Sequence, residues 1–118
     1  MTVAEVRVEG DIEWPVARLC GEVDLSNVDD LTLVIEAAVS NAALGLVLDL
    51  SDVTYLDSTG LRLIFRLSRR LLDRQQQLRL VVPPEARILP VLRLGGVPDV
   101  VSMSDRLVDA LAGPAVGS

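Results

Sequence analysis

Asp57-Ser58-Thr59-Gly60 sets a hydroxyl beside a carboxylate just ahead of an amphipathic stretch, and the chemistry open to such a quartet is covalent modification of the hydroxyl. Downstream, Leu61, Ile64, Leu67, Ser68, Leu71 and Leu72 form an inner helical stripe across residues 61–74, with Arg62, Arg66, Arg69, Arg70 and Arg74 largely outside it. Ser58 or Asp57 serves as the N-cap of that helix. Gly60 lets its first turn lie close to neighbouring backbone or to a partner. A phosphate on Ser58 would add about −1.5 to −2 charges, and a helix N-terminus partly accommodates such a charge. Outwardly it would add to Asp57 and to Asp24, in the loop after an earlier strand, and repel an acidic partner surface. A capped helix start with no further role is the plain alternative for the same four residues.

The residue types that are missing exclude most other chemistry. The chain has no His, which removes Ser-His-Asp and Cys-His arrangements and His metal ligands. Ser58 lacks a Gly-x-Ser-x-Gly context, and neither Gly-x-x-x-x-Gly-Lys nor Gly-x-Gly-x-x-Gly occurs. Asp49 ends a buried apolar run as a phosphoacceptor would, but no acidic pair for Mg²⁺ and no Lys accompany it. The expectation is a non-enzyme with no cofactor and no metal. The single Cys20 permits no internal disulfide and reads as a small core residue.

Seventeen acids against eleven bases, all of them Arg, give a net charge of −6, and the only aromatic residues are Trp14, Tyr55 and Phe65. Nucleic acid is not the expected partner of such a chain. Glu5, Arg7, Glu9, Asp11 and Glu13 are too many charges for a secretion signal, and the longest apolar run, residues 42–48, is far too short to span a bilayer. The chain reads as soluble and cytoplasmic. Five arginines along one helix most simply form a solvated face; the sharper reading is that Arg62 and Arg66 complement acids on a partner and set association rate and salt sensitivity.

The elements that must hold Ser58 follow from periodicity. Val6 and Val8 alternate with charges as in a half-buried strand, and residues 14–23 read as a second, antiparallel strand with Trp14 as a sheet-edge anchor. Ser26-Asn27-Val28-Asp29 has the spacing of a helix start, and Val28, Leu31, Ile35, Ala38, Val39 and Ala42 continue one face, predicting a helix over residues 27–43. Gly45 ends it. Residues 46–50 are apolar on both faces, as a central parallel strand is, and a short polar link follows. Residues 78–82 read as a fourth strand, 86–94 as a short helix containing Pro90, 100–101 as a brief edge strand and 105–112 as a last helix. This ββαβαβαβα order predicts one α/β domain over residues 1–112, with a mixed, mostly parallel sheet of four to five strands and about four helices. Residues 113–118 read as a frayed tail.

The run from Asp49 to Leu61, with Gly21-Glu22-Val23-Asp24-Leu25 upstream, resembles the STAS domain family, and within it the stand-alone bacterial anti-sigma factor antagonists. The similarity extends over nearly the whole chain. It implies that Ser58 is phosphorylated by an anti-sigma factor that is itself a serine kinase, that the unphosphorylated form binds this kinase and frees a sigma factor, and that a phosphatase reverses the mark. The partner-binding positions it implies are Asp24, Asp57, Ser58, Thr59 and Gly60, to which Arg62 and Arg66 are added from the charge pattern. A docking subunit of a larger signalling assembly or membrane transport system, without a phospho-switch, is the alternative within the same fold. Arg62 stands where the family commonly has a small residue, and Pro90 falls in a segment that is usually an uninterrupted helix.

Overall fold

The computed structural model describes residues 5–112. The tail at 113–118 lies outside the described residues. Strands β1 (Glu5–Gly10) and β2 (Pro15–Val23) form an antiparallel hairpin; β3 (Gly45–Leu56), β4 (Gln77–Val81) and β5 (Ser102–Ser104) add in parallel, giving the sheet order β1-β2-β3-β4-β5. Helices α1 (Val28–Ala37), α2 (Ser58–Asp73), α3 (Leu89–Leu94) and α4 (Leu107–Ala112) lie between and after the strands, with a short 3₁₀ turn at Val97–Asp99. The expected mixed sheet and four helices are present.

Alternation along the strands divides the side chains between two faces. Ala17 and Leu19 of β2, Leu46, Leu48 and Leu50 of β3, and Leu78 and Leu80 of β4 share one core with Leu31 and Ile35 of α1, Ile64, Leu67 and Leu71 of α2, and Leu92 of α3. The opposite face gathers Val16, Val47 and Val81 under Ala110 and Leu107 of α4, with Trp14 at its edge. Arg79 is buried on that second face and has no carboxylate partner among the described residues. Its guanidinium stacks 3.8 Å from the Trp14 ring centroid and donates to the Ala110 carbonyl at 2.9 Å, near the end of α4, while burial lowers its pKa. Trp14 is the expected anchor, held by a cation.

Several expected boundaries move, each for a local reason. α1 stops at Ala37 rather than residue 43, because the Ala38 and Val39 amides turn back to Ile35 and Glu36 in a tight last turn. The chain then runs through a loop in which the Leu44 amide donates to the Glu13 carbonyl, so Gly45 opens β3 instead of closing a helix. The polar link after Leu50 is strand: β3 continues to Leu56 because its outer half still pairs with β2, Val53 with Gly21 and Leu56 with Val23. Helix 86–94 shortens to Leu89–Leu94, where Pro90 sits in the first turn and its missing N–H costs nothing. β5 forms at Ser102–Ser104, after the 3₁₀ turn has used Val100 and Val101. Val8 is exposed because β1 is an edge strand, Cys20 is only half-buried, and Leu72 lies on the solvent side of α2.

Candidate functional site

β2 and β3 run parallel and leave the sheet together, since Val23 pairs with Leu56. The loop after β2 carries Asp24, and the single residue after β3, Asp57, leads straight into α2. Sequence spacing alone left the N-cap open between two residues; in the structure it is Asp57. Its backbone is extended, and its Oδ1 accepts the Thr59 amide at 2.9 Å while its carbonyl accepts the Leu61 amide at 3.0 Å. The helix therefore starts at Ser58, three residues before the apolar stripe announced it.

Ser58 is the first residue of α2, exposed to solvent, and its hydroxyl makes no hydrogen bond among the described residues. Thr59 is half-buried. Gly60 points inward: a Cβ there would lie 2.5 Å from Cγ of buried Leu56, so this glycine lets the first turn of α2 sit on the end of β3. The second acid is fixed differently. Oδ1 of Asp24 accepts both the amide and the hydroxyl of Ser26, at 2.9 and 2.5 Å, and the Asp24 carbonyl accepts the Val28 amide at 3.0 Å. Asn27, the residue preceding α1, makes no side-chain cap; it bridges the Asp24 amide and the Glu22 carbonyl instead. The loop bearing Asp24 is thus a hydrogen-bonded turn at the same end of the sheet as the start of α2.

Tyr55, which the sequence reading passed over as a site residue, reports the local field. Its hydroxyl lies 3.3 Å from Oδ2 of Asp57. The Asp57 charge foremost, then desolvation, the hydrogen bond to Asp57 and the charges of Asp24 and Glu22 raise its pKa above the ordinary phenol value of 10.0. The proton on folded Tyr55 therefore contributes stability below pH 10.0 that is lost as pH rises through the higher folded value. Tyr55 is the only tyrosine, so its ionisation is read directly by ultraviolet absorbance. Asp57→Asn is expected to move that titration down towards the ordinary phenol range while keeping an oxygen on the Thr59 amide. Asp57→Ala is expected to lose the cap as well, costing about 1 kcal/mol in denaturant unfolding. An unmoved Tyr55 titration in Asp57→Asn would contradict this account of the field.

Beside the site, the first turns of α1 and α2 leave a shallow cleft. Leu25 (79% exposed) stands at its lip, Asp29 and Thr32 line one wall, and Thr59, Arg62 and Arg66 the other. The structure thus brings Asp24, Asp57, Ser58 and Thr59 to one end of the sheet, puts Arg62 and Arg66 along the adjoining helix, and turns Gly60 into the core. Among the described residues, no group of three or more His, Cys, Asp or Glu could hold a metal ion, and no helix is long and apolar enough to cross a membrane.

Comparison with known proteins agrees with the fold. The family model for the STAS domain matches residues 4–110. No curated protein sequence matches the chain. Among solved structures, an anti-sigma factor antagonist from Mycobacterium paratuberculosis is 27% identical over 93% of this chain and 92% of its own, with a TM-score of 0.81. The anti-sigma factor antagonist SpoIIAA in its unphosphorylated form is 22% identical, covering 93% of this chain and all of its own (100%) at a TM-score of 0.67. Bacillus SpoIIAA in its phosphorylated form is 20% identical, covering 92% and 97% at a TM-score of 0.66.

Proposed function

This chain belongs to the STAS domain family, and from that premise we propose that it is an anti-sigma factor antagonist switched by phosphorylation of Ser58. The unphosphorylated form binds an anti-sigma factor that is a serine kinase and so releases a sigma factor. Phosphate on Ser58 blocks that binding, and a phosphatase restores it. The protein works by contact and carries out no catalysis of its own. The observation that carries the reading is Ser58 itself: an exposed hydroxyl at the first position of α2, unbonded among the described residues, at the sheet end where Asp57 and Asp24 are fixed by their own hydrogen bonds. The 27% identical antagonist of known structure supports the same role.

The physical basis of the switch is local. Unmodified, this end of the sheet presents a neutral hydroxyl together with Asp57 and Asp24. A phosphate there adds about −1.5 to −2 charges to a surface that is already acidic, and a partner docking on it must strip water from that charge. Nothing in the fold has to move, because Asp57 already caps α2 and the Ser58 side chain holds nothing in place. The test is incubation with ATP and the cognate anti-sigma kinase, following intact mass and complex formation together. The expected result is one added phosphate, mapped to Ser58, and loss of the complex in step with its appearance. Undiminished binding by the phosphorylated protein would overturn the proposal. So would persistent absence of phosphate with co-purification of a transporter subunit, which is the outcome for a docking module.

A further inference from the structure

The arginines of α2 fall into two unlike sets. In the distal half, Arg70 pairs with Glu36 of α1, Arg69 lies 3.5 Å from Asp73, and Arg74 donates to Asn41 at 2.6 Å. In the proximal half, Arg62 and Arg66 are exposed and make no ion pair or hydrogen bond among the described residues. Asp29 lines the same cleft yet pairs with neither.

Arg62 follows Ser58 by four residues, the spacing at which helix side chains stand one above the other, with Cβ atoms about 5–6 Å apart. One of the first-turn amides that have no partner within the helix is already spent, since the Asp57 carboxylate takes the Thr59 amide. We propose that Arg62 is an internal counter-ion for a phosphate on Ser58. Its guanidinium offers paired N–H donors to phosphate oxygens. Drawing it onto the modified side chain also takes a cation off the docking face, so one modification alters that surface twice. This rests on the reading of Ser58 as the phosphorylated residue. The titratable and charged groups around this end of the sheet are Tyr55 at the end of β3, Asp57 just after it, Glu22 and Asp24 from β2 and its loop, Asp29 from α1, and Arg62 and, farther along, Arg66 on α2. The carboxylates disfavour the dianion; Arg62, one helical turn away, favours it.

Phosphoserine placed at position 58 during synthesis makes the test independent of any kinase. Its second pKa is about 6 when unperturbed and is read by ³¹P NMR titration. The value is expected to lie about half a pH unit lower with Arg62 present than in Arg62→Gln. The difference should shrink at high salt and return in part with Arg62→Lys. Arg66→Gln, at about 12 Å along the helix axis from Ser58, is expected to leave the titration in place. Equal values with and without Arg62, or an equal displacement from Arg66→Gln, would overturn the proposal. A kinase that never modifies Ser58 would instead remove the switch reading, a separate result from this titration.

Discussion

Ser58→Glu is expected to weaken the complex with the anti-sigma kinase by about tenfold, and authentic phosphate on Ser58 by about a hundredfold, with the fold intact. Like charges brought together in an interface cost up to several kcal/mol, and each 1.4 kcal/mol is about a factor of ten in affinity. The carboxylate gives the smaller effect because it carries a single charge and fewer acceptor oxygens. Stability should not fall. Ser58 is exposed at the first position of α2, where a negative side chain is favoured by the helix dipole. Ser58→Ala is expected to bind like the unmodified protein and to keep binding in the presence of ATP. Thr59→Ala, at a half-buried neighbour, should leave the switch working. Calorimetric titration of each variant into the kinase, beside a thermal melt, separates the electrostatic account from simple unfolding. Affinities for Ser58→Glu and for phosphorylated protein both equal to wild type would refute it.

Gly45→Ala is expected to be the most damaging small substitution in the molecule, costing about 3 kcal/mol or more. A Cβ at this position would lie 2.2 Å from the Gln77 carbonyl oxygen and 2.5 Å from the Trp14 ring. The first contact is with backbone of the adjacent strand, paired with Gly45 in the β3–β4 register, so no side-chain rotation relieves it. The second is with an indole that also carries the stacked guanidinium of Arg79. Relief therefore requires β3 and β4 to separate at their first pair and the Trp14 ring to shift from its place against Arg79. The melting temperature should fall by about 10 °C. Gly60→Ala meets only the Leu56 side chain and is expected to cost less. A Gly45→Ala protein melting within a degree or two of wild type would show that the close approach at the start of β3 is not needed.

The elements that carry long-period patterns were legible in the chain itself. The stripe of Leu61, Ile64, Leu67 and Leu71 marked α2, and the run from Leu46 to Leu50 marked a strand covered on both faces. Both signals come from burial, which imposes a period on the residues facing the core. Leu72 misled because it neighbours the stripe without facing the core. The quartet around Ser58 was equally visible, since capping demands particular residue types just ahead of a helix.

What local pattern could not supply was decided by pairing between distant segments. Residues 51–56 look like a polar link because one side faces solvent; they are strand because β2 offers its backbone as far as Val23. That same register brings Asp24 to the Asp57 end of the sheet across 33 positions of chain, and so adds the Asp24 charge to that of Asp57, a near neighbour in sequence, in the field at Tyr55. α1 ends early because its last turn tightens at Ala38 and Val39, ahead of a loop tied to the hairpin at Glu13. The division of the α2 arginines into committed and uncommitted sets depends on which acceptors α1 and its loop place opposite them, Glu36 and Asn41. Composition and periodicity determined the fold class and the place of the Ser58 hydroxyl at a helix start, because both are written in burial and capping. The charge environment of that hydroxyl was settled only by folding, because Coulomb interactions depend on distance in space, and sequence separation does not fix that distance.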